Sequence, residues 1–205
     1  MPPVAHLHEK QLGWARPEID YDAKILGQAQ RAISLAPNSD LPYYAKSYYL
    51  FILRRENEAL GAANAGLAIN PNSALLYGVR ALAQNSLGHF EQAKSDITNA
   101  MRLSPHDPFM LFWPVYLGDA ELGLGHFDAA VDSYQRSIDL GWRTFVPYVD
   151  LAAAYALQGK MEDAKTALGE ARRLYPPLTV KWLQSVAPNI PNLFEGARKA
   201  GLPEE

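Results

Sequence analysis

Hydrophobic positions along the chain recur at helical spacing and fall into paired blocks separated by Gly or Pro. The stretch 87–105, LGHFEQAKSDITNAMRLSP, shows one block clearly. Gly88 punctuates, Phe90 opens an apolar stripe continued by Ala93, Ile97 and Ala100, and Pro105 ends it. The same spacing predicts helix pairs over 41–54 and 57–69, 73–87 and 90–103, 108–124 and 127–140, and 145–158 and 161–174. Asp20 or Asp22 is placed to cap a preceding helix that runs to about Leu35, with Ile25, Ala29, Ala32 and Ile33 as its inner stripe. A short helix is expected over 4–13, and two more over 179–186 and 192–200.

The blocks keep a fixed beat. Pro37, Pro71 and Pro105 are spaced by 34 residues, as are Ala59 and Ala93, and Ala130 and Ala164. Gly88 returns as Gly125 and Gly159, and Phe90 as Phe127 and Met161. Small residues (Ser47, Ala81, Gly118 and Ala152 in first helices; Gly66, Ala100, Ser137 and Ala171 in second helices) hold the phases where helix backbones approach. Phe90 to Phe127 is 37 residues, so three extra residues enter between 104 and 113, where Pro105, Pro108 and Pro114 cluster. That insertion reads as a longer turn. At the end of the fourth pair Gly141-Trp142 stands where the stop proline is expected.

A 34-residue helical repeat resembles the tetratricopeptide repeat (TPR). LGHFEQA, LGHFDAA and LQGKMEDA match its turn pattern, and the resemblance runs over 22–176. The first repeat departs from it, since Ile25 stands where Ala is expected. The implied fold is an all-α, right-handed TPR superhelix of about five helix hairpins. It divides into an irregular segment 1–20, the array 21–177, and capping helices with a tail 178–205. An open array needs such a cap to cover its last apolar face. The whole chain also resembles the C-terminal TPR region of bacterial class III adenylate/guanylate cyclases and winged-helix transcription regulators. That likeness is carried by Gly13-Trp14, the LSPHDP turn and the ending FEGARKAGLPEE. It implies a sensing or docking tail, with chemistry upstream.

Composition narrows the function classes. The chain has 205 residues, 48% hydrophobic and 20% charged, with a net charge of −3. No basic excess suits a nucleic-acid footprint. Cysteine is absent, which excludes disulfides and thiolate chemistry. No apolar run of about 18 residues suggests a membrane span, and MPPVAHLHEK has no apolar signal core. A cytoplasmic setting without membrane attachment is expected. Gly-rich phosphate loops, HExxH, CxxC and GxSxG are missing. Gly123-Leu124-Gly125 falls in a turn between helices, not after a strand. His6 and His8 lie on different sides of a helix with no third ligand nearby. His89 and His126 share one turn phase and are expected to be exposed. Carboxylates are scattered, and nothing in the spacing brings a second acid close to Asp119 or Glu121. No enzyme, metal or cofactor is expected.

A protein or peptide partner is expected instead. First helices line the concave side of a TPR array, and phase then selects Tyr44, Tyr48, Phe51, Asn85, Phe112, Tyr116, Asp119 and Asp150 as partner-binding residues. Lys46 and Arg80 fall at phases that pack or face away, so the basic clamp for acidic tails is missing. Such a surface suits an apolar or amphipathic segment. Three alternatives stay open: a groove filled by the chain's own N-terminal segment or C-terminal helices, a regulatory tail of a larger protein, and self-association with a second copy. Trp113, Trp142 and Trp182 are expected as packing anchors at irregular joints.

Overall fold

The computed structural model describes residues 21–105 and 111–205. The helix expected over 4–13, His6, His8 and the residues 106–110 of the insertion lie outside them. Eleven helices are described: α1 (Tyr21–Leu35), α2 (Leu41–Ile52), α3 (Glu56–Ile69), α4 (Ala74–Ser86), α5 (Phe90–Leu103), α6 (Trp113–Gly123), α7 (Phe127–Asp139), α8 (Phe145–Gln158), α9 (Met161–Leu174), α10 (Val180–Val186) and α11 (Pro191–Ala200). Four complete hairpins, α2–α3, α4–α5, α6–α7 and α8–α9, follow the single helix α1. Each hairpin packs on the next, with α2, α4, α6 and α8 side by side as the inner layer.

One turn geometry makes all four hairpins. In α4 the N–H of Gly88 donates to Asn85 O, and that of His89 to Gln84 O. This pair of bonds closes the last helical turn and requires a left-handed residue between them. Gly88, Gly125 and Gly159 supply it with φ of 77°, 79° and 81°. In α2 the same two bonds form from Arg54 to Phe51 O and from Arg55 to Leu50 O. Arg54 takes φ 59° there, a conformation costly for a side chain with a Cβ.

Small residues sit at the closest contacts. Ala59, Ala81, Ala93, Ala130, Ala152, Ala164 and Ala171 are completely buried. A Cβ on Gly118 would lie 2.5 Å from the ring of Tyr134, and one on Gly66 would lie 2.6 Å from Leu76. Buried Ser47 donates to Ala59 O across the α2–α3 hairpin. On the outer side Arg80 grips Asp96 through two bonds of 2.6 and 2.7 Å and reaches Asn64 at 2.9 Å, tying α3, α4 and α5 together. Lys46 bonds Gln30.

Asp22 lies inside the first turn of α1 and accepts from the Tyr49 hydroxyl at 2.7 Å, bracing α1 against α2, while Asp20, the other candidate cap, lies outside the described residues. The described first helix of the fourth hairpin, expected from 108, runs from Trp113, and residue 108 lies outside the described residues. Trp113 is buried there, as expected of an anchor.

The C-terminal segment folds back into the concave side. Helix α11 packs mainly on α8 and also touches α6. A Cβ on Gly196 would meet Ala153 O at 2.5 Å. Asn192 donates to Leu122 O at 2.7 Å, and Arg54 donates to Ala187 O across the array. The tail then returns to α10. Val180 and Lys181 N–H donate to the carbonyls of Pro203 and Glu204, and Arg198 pairs with Glu204 at 2.7 Å. Thr179 caps α10 by accepting from Trp182 N–H. Thr179→Ala is expected to cost about 1 kcal/mol, read as a small drop in Tm with faster amide exchange at Trp182.

Candidate functional site

The inner layer and α1 enclose an apolar groove of about 620 Å³. Its floor comes from α4 and α6, with Leu75, Gly78, Leu82 and Trp113. Tyr44 and Tyr48 rise from α2, stacked at 6.0 Å. Phe112 and Tyr116 close one end, and Ile25, Gln28, Ala29 and Ala32 of α1 close the other. Gly78 keeps the floor low, since a Cβ would lie 3.3 Å from the Trp113 indole nitrogen. Burial raises the phenol pKa of Tyr48 and sets that of Tyr116 well above the usual value. These hydroxyls stay protonated at neutral pH and can serve as donors at the rim.

A second, smaller cavity of about 200 Å³ adjoins it. Tyr48, Leu82 and Tyr116 line both. Here the C-terminal segment supplies part of the wall, through Trp182, Leu183, Pro188 and Leu193. Phe51, Trp142 and Phe145 face it too, with Phe145 edge-on to Trp182 at 5.4 Å and Phe112 edge-on to Trp142 at 4.7 Å. Trp142 and Trp182, expected as anchors, therefore also wall a cavity.

Asp119 and Asp150 lie in this second cavity, only 4% and 3% exposed. Asp119 accepts from the fully buried Tyr134 hydroxyl at 3.1 Å. Burial lifts its pKa to about 7, against the hydrogen bond that lowers it. Burial, and then the charge of Asp119, holds Asp150 well above the usual carboxylate range. The expectation that no second acid neighbours Asp119 is thus corrected. Asp150 sits 34 residues after Tyr116, on the next inner helix, and tertiary stacking brings it beside Asp119. Glu121 follows different chemistry: Lys94 at 2.8 Å and His126 at 2.8 Å bind it, and its pKa falls because these bonds outweigh its burial.

The sequence-selected residues divide accordingly. Tyr44, Tyr48, Phe112 and Tyr116 line the large groove, while Phe51, Asp119 and Asp150 line the smaller cavity. Asn85 is completely buried, and its amide donates to Tyr116 O at 3.0 Å. It joins α4 to α6 and lines neither cavity. The α1 wall and the C-terminal wall were missed by repeat phase, because neither belongs to an inner-layer helix of a complete hairpin. Among the described residues no group of three or more His, Cys, Asp or Glu could hold a metal ion, and no helix is long and apolar enough to cross a membrane.

No family model matches the chain. The mouse (Mus musculus) protein "DnaJ homolog subfamily C member 7" is 34% identical over 98 residues, which is 48% of this chain and 18% of the mouse protein. Among solved structures, TTC0263, a thermophilic TPR protein of Thermus thermophilus, superposes with a TM-score of 0.67 at 22% identity, covering 89% of this chain and 95% of that one. A chain of the APC/C hetero-tetramer Cut9-Hcn1 gives 0.72 at 20% identity, over 96% of this chain and 35% of its own. YrrB, described as a TPR protein with an unusual peptide-binding site, gives 0.58 at 16% identity, over 84% and 90%. With its 34-residue beat, shared turn geometry and stacked hairpins, the chain carries the TPR fold, an α-α solenoid.

Proposed function

We propose that this chain is a protein-interaction module that seats an apolar or amphipathic partner segment in the groove between α1, α2, α4 and α6. The observation that carries this reading is the groove itself, a 620 Å³ concavity with half-buried tyrosine walls that the chain's described residues leave open. A concave, largely apolar site with a few polar tips is the form that peptide recognition takes. The likeness to YrrB, whose description names a peptide-binding site, points the same way. The C-terminal half of the concave side is taken by α11, which confines a partner to the N-terminal half.

Peptides selected from a random display library on the purified chain test this. Tyr44→Ala/Tyr48→Ala is expected to weaken a selected peptide at least tenfold, since buried tyrosines act as anchors. Ala45→Trp fills the groove from an exposed position without removing core and is expected to weaken it as much. Glu58→Ala, on an exposed carboxylate of α3 paired with Arg55 and outside the groove lining, should leave binding unchanged. Equal affinity across all of these proteins sinks the reading.

The regulatory alternative rests on the ending FEGARKAGLPEE, which here forms the later part of α11 and the tail. In a larger protein of that kind, the groove would be where an upstream domain or its partner docks.

A further inference from the structure

The smaller cavity has a chemistry that the apolar groove lacks. Asp150 is only 3% exposed, lines the cavity, and has no hydrogen-bond or ion-pair partner among the described residues. Among the described residues Asp119 takes only the Tyr134 phenol, and no Lys, Arg or His lines the cavity. Arg54, which reaches the C-terminal segment beside it, is turned to Ala187 O and to Glu56 at 3.7 Å. Buried carboxyls are ordinarily matched by a donor or a counter-charge; Asp119 has the Tyr134 donor, while Asp150 is left without either and opens to the cavity. The walls around it are Tyr48, Tyr116, Trp142, Phe145 and Trp182. Aromatic faces over an acidic floor are what an organic cation prefers.

We infer that this cavity receives the ammonium or guanidinium of a Lys or Arg carried by the partner segment, an inference that rests on the groove reading above. The geometry gives the route. Tyr48, Leu82 and Tyr116 are shared by both cavities, so a segment seated on them can send one long side chain into the acidic end. The methylenes of that side chain run along the rings while its head meets Asp119 and Asp150. The partner would then be an amphipathic segment with one basic residue beside its apolar anchors, the opposite charge preference to a carboxylate clamp.

Entry of a cation favours the ionised carboxyls, so binding releases protons and tightens as pH rises through about 7, the pKa of Asp119. Among the described residues the titratable groups facing the pair are Tyr48 from α2, Tyr116 from α6 and Tyr134 from α7, all phenols. Helices α10 and α11 face the cavity with Trp182, Leu183, Val186 and Leu193 alone.

The test titrates n-butylammonium, with n-butanol as its uncharged counterpart, into the full chain at pH 8 while following tryptophan emission. Trp142 and Trp182 report from the cavity wall. A saturable change with n-butylammonium is expected, at least tenfold weaker in Asp150→Asn and in Asp119→Asn, with no such difference for n-butanol. Both variants keep side-chain shape, and thermal unfolding checks that they fold. Display selection on wild type should enrich Lys or Arg beside apolar residues, and selection on Asp150→Asn should not. No saturable response, or an equal one in Asp150→Asn, overturns the inference. So do selected peptides without a basic preference, which leave the groove reading intact. Selection that fails on both proteins removes the groove reading, and the amine titration then decides the cavity alone.

Discussion

Gly196→Leu is expected to lower stability by about 3 kcal/mol, the upper range for overpacking a close contact. For a chain of this size that is a fall in Tm of roughly 6–12 °C. The cause is backbone against backbone. A Cβ at 196 would lie 2.5 Å from Ala153 O and 2.8 Å from Ala153 Cα, and neither can rotate aside as a side chain could. Helix α11 must therefore lift from α8. With it would go the burial of Leu193, Phe194 and Ala197, and the bond from Asn192 to Leu122 O. Gly169→Ala is the control. It is exposed, helical and has no atom within 4 Å of a new Cβ. It should gain up to about 1 kcal/mol by removing glycine from a helix interior. Calorimetry of both variants decides the point, and a Tm for Gly196→Leu within about a degree of wild type, against the shift expected from its size, would contradict this packing.

The repeat made most of the fold legible. Turn glycines at fixed phase anticipate the left-handed caps, and small residues at fixed phase anticipate the buried contacts, because both are demands of one hairpin on its neighbour. Arg54 shows where that logic bends. It occupies the turn phase of Gly88, Gly125 and Gly159 and adopts their conformation. Its guanidinium meanwhile reaches a carbonyl 133 residues away. The bond from Asn192 to Leu122 O spans 70 residues. Such contacts depend on how the array curves, which a 34-residue period does not encode. For the same reason phase found Tyr44, Tyr48, Phe112 and Tyr116 on the large groove but missed α1 and Trp182 as walls. It also placed Asp119 and Asp150 on an open surface, where the C-terminal cap buries them.

That burial carries the second large effect. Stability is expected to fall by roughly 3 kcal/mol as pH rises from about 5 to 8. Asp119 has its pKa raised from 3.8 to about 7. The folded chain therefore holds a proton that the unfolded chain gives up at lower pH. The stabilisation is complete below the unfolded value and is lost progressively as pH climbs through about 7. Asp150 is raised in the same direction, so the loss continues above that point. Asp40 and Glu121 are shifted downward. Their contributions are lost only in acid, outside this window. Asp119→Asn should flatten the slope, since an amide oxygen still accepts from Tyr134 and carries no charge to desolvate. The measurement is urea unfolding of wild type and Asp119→Asn at pH 5 to 8, taken as the difference between the two proteins so that shared titrations cancel. A difference independent of pH would mean that water already solvates the pair. A growing advantage for Asp119→Asn would mean that the native chain keeps an acidic cavity at the expense of its own stability, and a bound cation would be expected to return that stability at pH 8.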